Sequence, residues 1–165
     1  MISRREIVLG GTGSTAVIWL ARLSNSAMAQ AASLGKFEIV KSDEEWRREL
    51  TSEQYAVLRR RKTEDPWASP LNKEYGPGTY LCAGCGLPLF SSSTKFESGT
   101  GWPSFWAPIK GAIETMEDRS FFFLVRTEVL CRRCGGHLGH VFKDGPQPTG
   151  LRYCMNGVAL KFVPD

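Results

Sequence analysis

Two C-x-x-C pairs, Cys82/Cys85 and Cys131/Cys134, constrain this chain most, because residues far apart in sequence each have the form of half a metal site. Each pair spaces two thiols so that one tight turn can present both to a single ion. The glycines that follow, Gly86 and Gly135, support such turns because glycine takes positive φ without steric cost. Together the pairs predict a tetrahedral four-thiolate site, the pattern of structural zinc. Iron fits the same four sulfurs, and an exported protein can instead pair its thiols as disulfides. A redox pair usually opens a helix, whereas both pairs here run into glycine-rich turns, and neither is followed directly by histidine as haem attachment requires. A site closed at four ligands leaves no position for an activated water. A zinc hydrolase is thereby excluded, and catalysis must lie elsewhere.

One cysteine is left over. Cys154 lies in the strand-like stretch from Gly150 to Leu160, where alternation puts Arg152, Cys154 and Asn156 on one face and Tyr153 and Met155 on the other. A lone cysteine is often a small buried hydrophobe. An apolar site would not, however, choose a cation and an amide as its neighbours. Arginine stabilises the nucleophilic thiolate and asparagine can orient a thiolate or substrate, so Cys154 is the candidate nucleophile. The two histidines of the chain, His137 and His140, lie in a glycine-rich loop beside the second metal knuckle and can supply a proton near neutral pH. Trp102, in Gly99-Thr100-Gly101-Trp102-Pro103, reads equally as a core plug or a binding surface.

The N-terminus runs from Arg4-Arg5 through a glycine-interrupted apolar stretch to Ala27-Met28-Ala29, which reads as a twin-arginine export signal cut after Ala29. An amphipathic helix is the weaker alternative. Removal of residues 1–29 is thus expected to leave a single domain, 30–165, in the periplasm with no stable membrane anchor. Loss of Arg4, Arg5, Arg22 and Glu6 takes the net charge from +4 to +2, too small an excess to imply a nucleic-acid partner. The run Arg59-Arg60-Arg61-Lys62 reads as a solvated helix end.

Capping boxes at Ser42/Glu45 and Thr51/Gln54 predict two short helices starting near Asp43 and Ser52. Asp65 to Gly78 reads as a wrapping loop. Beyond it, short alternating runs such as Phe121–Val129 and Val158–Phe162, separated by glycine and proline, predict a mainly β domain of antiparallel strands.

Ordered motifs across residues 37–163 resemble the B-type methionine sulfoxide reductases: Gly78-Thr79-Tyr80 with the first knuckle, Leu89 through Phe105, Cys131 through Pro146, and Arg152-Tyr153-Cys154-x-Asn156. The resemblance implies two antiparallel sheets with peripheral helices and one structural Zn2+. It also implies reduction of the R epimer of protein-bound methionine sulfoxide. On it, Cys154 is the nucleophile that becomes a sulfenic acid, and His137, His140, Arg152 and Asn156 are its polar neighbours. His140 protonates the departing oxygen, and the Trp102 indole packs on the sulfoxide methyl. Many members carry a resolving cysteine where this chain has Thr100. With four thiols given to zinc, the resemblance implies recycling by an external reductant, a small thiol or a thioredoxin-like partner. The alternative is a non-catalytic zinc-knuckle binding module of the same fold.

Overall fold

The computed structural model describes residues 37–165 apart from 122 and 123. The expected export signal, residues 30–36 of the expected domain, and Phe122 and Phe123 lie outside the described residues. Helices α1 (Asp43–Glu49) and α2 (Ser52–Leu58) start where the capping boxes put them. In each box the N-cap hydroxyl accepts from the N3 amide while the N3 side chain accepts from the N-cap amide, which satisfies two donors that the first turn would otherwise strand. Trp46, Tyr55, Val57 and Leu58 are buried. Leu58 lies across both knuckles: a Cβ at Gly84 would sit 3.4 Å from its Cδ1, and one at Gly136 would sit 2.9 Å from its Cδ2.

The described strands are β1 (Gly78–Cys82), β2 (Pro88–Ser91), β3 (Lys95–Phe96), β4 (Ser104–Phe105), β5 (Ile113–Phe121), β6 (Leu124–Cys131), β7 (His137–Phe142), β8 (Arg152–Met155) and β9 (Leu160–Pro164). They form two antiparallel sheets, β2-β1-β9 and β3-β4-β8-β7-β6-β5. The core lies where the sheets meet. Phe90 of β2 stacks on Phe105 of β4 at 4.4 Å between ring centroids, Tyr80 of β1 meets the same ring edge-on at 4.9 Å, and Phe90 also reaches Tyr153 of β8. Such pairs add about 0.5–1.5 kcal/mol each beyond the area they bury.

Two sequence expectations change. The stretch Gly150–Leu160 is not one strand: β8 belongs to the large sheet and β9 to the small one, and a 3-10 turn over Gly157–Ala159 carries the chain between them. Gly157 permits this crossing, because a Cβ there would stand 1.9 Å from the Ser69 hydroxyl oxygen. The histidines lie in a strand, β7, and not in a loop. The basic run follows α2 and is bound: Arg59 donates to the Cys134 carbonyl, Arg60 pairs with Asp43, and Arg61 pairs at 2.9 Å with the buried carboxylate of Glu128. Arg60, Arg61 and Lys62 remain exposed, so the run is the solvated helix end expected, with these ties to the rest of the fold added. Along β6 the alternation holds, with the charged side covered: Val125 is 56% exposed and Glu128 only 3%.

Candidate active site

Register builds the site. Residues directly opposite in an antiparallel pair project to the same face, so partners on successive strands form a row. Ser104 of β4 faces Cys154 of β8, Cys154 faces His140 of β7, and His140 faces Glu128 of β6. The neighbouring row pairs Arg152 with Phe142, and Arg126 of β6 pairs with Asp118 of β5. Tyr153 and Met155, alternating with these, turn to the core.

His137 joins this face because of a β-bulge. Val129 pairs with Gly139 and Leu130 with His137, which leaves Leu138 as the extra residue and brings both histidines to one side despite their odd separation. Their rings stand 5.4 Å apart at 66°. Gly139 is required by the close approach of β8, since a Cβ would lie 2.1 Å from the Cys154 carbonyl oxygen.

Glu128 organises the buried end. One of its oxygens accepts from His137 Nδ1 at 2.7 Å and from Arg61 Nε at 2.9 Å. Burial alone would raise this carboxyl, but His137, Arg61 and His140 outweigh it and hold Glu128 below the ordinary range. An ionised carboxylate only accepts, so Nδ1 of His137 carries a proton. Its Nε2 is buried and, among the described residues, has no hydrogen-bond partner. His140 Nε2 donates at 2.9 Å to Asp118, which also takes Arg126 at 2.7 Å. Burial lowers the His140 pKa below 6.5, with Arg126 and His137 adding to the effect against Asp118, so this imidazole is neutral at pH 7.

Cys154 lies among hydroxyls. Thr100 Oγ1 is 3.8 Å from its sulfur, Ser98 Oγ is 2.8 Å from the hydroxyls of both Thr100 and Ser104, and Ser104 donates to the Trp102 carbonyl. Burial pushes the Cys154 thiol above its ordinary value of 9.0, and Thr100, Arg152 and Ser104 offset this only in part. Arg152 thus favours the thiolate by charge and by a hydrogen bond, while burial opposes it more strongly in the free protein. The Arg152 guanidinium is held bidentate by Asp144 at 2.9 and 2.8 Å and stacks over Phe142, which fixes its orientation beside Cys154.

Asn156 differs from expectation too. Its Oδ1 accepts from the Glu64 amide at 2.9 Å and its Nδ2 donates to the Leu138 carbonyl at 3.0 Å, so the carboxamide braces the main chain behind Cys154 instead of orienting the thiol. Trp102 is half-buried, and its indole N–H donates to the Glu64 carbonyl at 3.1 Å.

The other four cysteines converge separately. Sγ atoms of Cys82, Cys85, Cys131 and Cys134 all lie within 4.8 Å of one another, with Cys82–Cys134 at 3.8 Å and Cys85–Cys131 at 3.5 Å. Four sulfurs about 2.3 Å from a tetrahedral ion would be ~3.8 Å apart, whereas a disulfide needs about 2.05 Å. The cluster fits a metal ion, and four thiolates this close would repel without one. Gly86 and Gly135 take φ of +70° and +67°, as the knuckle turns require.

Sequence reasoning missed Glu64, Glu128, Asp118, Asp144, Ser98 and Ser104. The polar stripe of Arg126 and Glu128 was visible as alternation, but its partners depend on strand register.

Comparison with known proteins agrees with this geometry. The SelR domain family matches residues 50–164. A peptide methionine sulfoxide reductase MsrB from Leptospira interrogans is 56% identical over 129 residues, 78% of this chain and 98% of that protein. The MsrB of Leifsonia xyli is 55% identical over 136 residues, covering 81% and 97%, and that of Methanosarcina barkeri is 54% identical over 127 residues, covering 77% and 89%. With more than half of the aligned positions identical along nearly the whole length of such relatives, the chain belongs to the MsrB family of SelR-domain proteins.

Proposed function

We propose that this protein reduces the R epimer of methionine sulfoxide in proteins to methionine, with Cys154 as the nucleophile. The observation that carries the assignment is the position of Cys154: it is the one thiol outside the four-sulfur cluster, set opposite His140 and within reach of the Thr100 hydroxyl. The Cys154 sulfur attacks the sulfoxide sulfur. Its proton passes to the sulfoxide oxygen, with neutral His140 as the conduit, since the imidazole is unprotonated and the thiol is not. The sulfoxide S–O bond and the transient bond between the two sulfurs break as an S–O bond forms on Cys154, so methionine leaves two electrons richer and Cys154 becomes a sulfenic acid. An external thiol then condenses with it, releasing water, and a second thiol frees Cys154 as a disulfide forms.

Trp102 forms the apolar side that accepts the methyl group, and His137, His140 and Arg152 form the polar side that meets the oxygen. That contrast selects one epimer. Asn156 acts through the main chain that it braces. Zn2+ is the ion that suits the four cysteines; it would join the turn after β1 to the turn after β6 and supply folding energy but no chemistry. The N-terminal pattern supports export. Sequencing the mature N-terminus from a periplasmic extract tests it, with Gln30 expected as the first residue.

The test of the activity is reduction of a peptide carrying each sulfoxide epimer, with dithiothreitol as reductant. Turnover of the R epimer alone, lost in Cys154→Ser, is expected. A non-catalytic zinc-knuckle module would reduce neither.

A further inference from the structure

Glu64 stands in the loop that follows α2, in a stretch that carries no sequence motif, and it is bound through every polar group it has. Its amide donates to Asn156 Oδ1 at 2.9 Å and its carbonyl accepts from Trp102 Nε1 at 3.1 Å. The two carboxylate oxygens accept separately from the amides of Gly157 at 2.5 Å and Val158 at 2.9 Å, in the turn just after Asn156. One residue thus touches both the indole assigned to the sulfoxide methyl and the carboxamide that braces the Cys154 strand.

We propose that Glu64 is a positioning residue of the sulfoxide site: its main chain sets the spacing between the Trp102 indole and the Cys154–Asn156 segment, and its carboxylate locks that main chain in place. The inference rests on the proposed function. Without the carboxylate, two amides of the crossing turn lose their acceptor and the loop loses its anchor. The amide and carbonyl of residue 64 are then free to drift, and Trp102 drifts with them. A wall displaced by even about 1 Å ceases to distinguish a methyl from an oxygen.

Glu64 lines a cavity of about 690 Å³ together with Glu53, Lys62, Pro70 and Phe162, and the residues lining this cavity do not include Cys154, His137 or His140. The partners of its carboxylate are fixed amides and not mobile cations, which suits a clamp better than a proton carrier. Burial raises its pKa, opposed by the Val158 and Gly157 amides.

The experiment compares full-length wild type with Glu64→Ala, Glu64→Gln and the cavity control Lys62→Ala. It uses peptide R- and S-sulfoxides with dithiothreitol at a temperature well below each melting point. Glu64→Ala is expected to raise KM about tenfold and to narrow the preference for the R epimer, as loss of substrate positioning does. The alkylation rate of Cys154 by iodoacetamide should stay within about twofold of wild type, because the thiol keeps its own neighbours. Glu64→Gln retains one acceptor for two amides and should fall between wild type and alanine. Lys62→Ala should match wild type. A purely structural residue would lower the melting temperature and leave KM and epimer preference unchanged in the folded protein, and that result would overturn the proposal. If Glu64→Ala does not fold, Glu64→Gln decides: wild-type KM and selectivity in that variant also overturn it. Failure of wild type to reduce either epimer would instead remove the functional reading beneath it.

Discussion

Cys154 lies directly opposite His140 across β7 and β8, which puts the only thiol outside the metal cluster on the same face as an imidazole that is neutral at pH 7. The thiol is itself held protonated by burial. The pair therefore stores one proton in the position from which a sulfoxide oxygen can take it, and reactivity waits for the substrate.

That balance predicts the pH dependence of the free thiol. Alkylation of Cys154 by iodoacetamide should rise through a pKa above 9.0, because burial outweighs the stabilising Thr100, Arg152 and Ser104 contacts. Thr100→Val removes the strongest of these contacts and should move the profile further up. A profile centred near the neutral range, about 7, would show a preformed thiolate.

Oxidised Cys154 should persist as a sulfenic acid. One equivalent of R-sulfoxide without reductant is expected to yield a dimedone adduct at Cys154 with the metal still bound, since the remaining thiols are in the cluster. Thr100→Cys would place a second sulfur near the position where Oγ1 now stands, 3.8 Å from Sγ of Cys154. In that variant the adduct should give way to a disulfide between positions 100 and 154, read by non-reducing peptide mapping.

Breaking the cluster should unfold the domain. Cys131→Ser removes a ligand, and chelation removes the ion, at the point where β6 is joined to β1; structural zinc contributes about 10–16 kcal/mol in small zinc folds. Calorimetry should show loss of the cooperative transition, whereas Cys154→Ser should melt like wild type with unchanged metal content.

Glu128→Gln should cost about 1–3 kcal/mol at neutral pH, because it leaves His137 and Arg61 without their buried anionic acceptor. The folded-state pKa of Glu128 is depressed, so its contribution is complete above the unfolded value and disappears as pH falls through the folded one. Urea denaturation of the two proteins should therefore converge as pH falls below the ordinary carboxylate range and through the depressed folded-state pKa. A difference that persisted there would mean that packing and not charge is at stake.

The sequence alone determined the local chemistry. Capping boxes start helices through contacts three residues apart, C-x-x-C with a following glycine makes a knuckle within one turn, and period-two alternation put Arg152 and Cys154 on one face. What only the tertiary structure decided depends on strand register. A bulge at Leu138 brings His137 and His140 to the same side, and the sheet crossing at Gly157 takes Asn156 out of the strand and gives its carboxamide to Glu64. The protonation of Cys154 is decided there as well. A neighbouring arginine is visible in the chain, but its capture by Asp144 and the burial that outweighs it exist only once distant segments pack, because desolvation is a property of the surroundings and not of the residue.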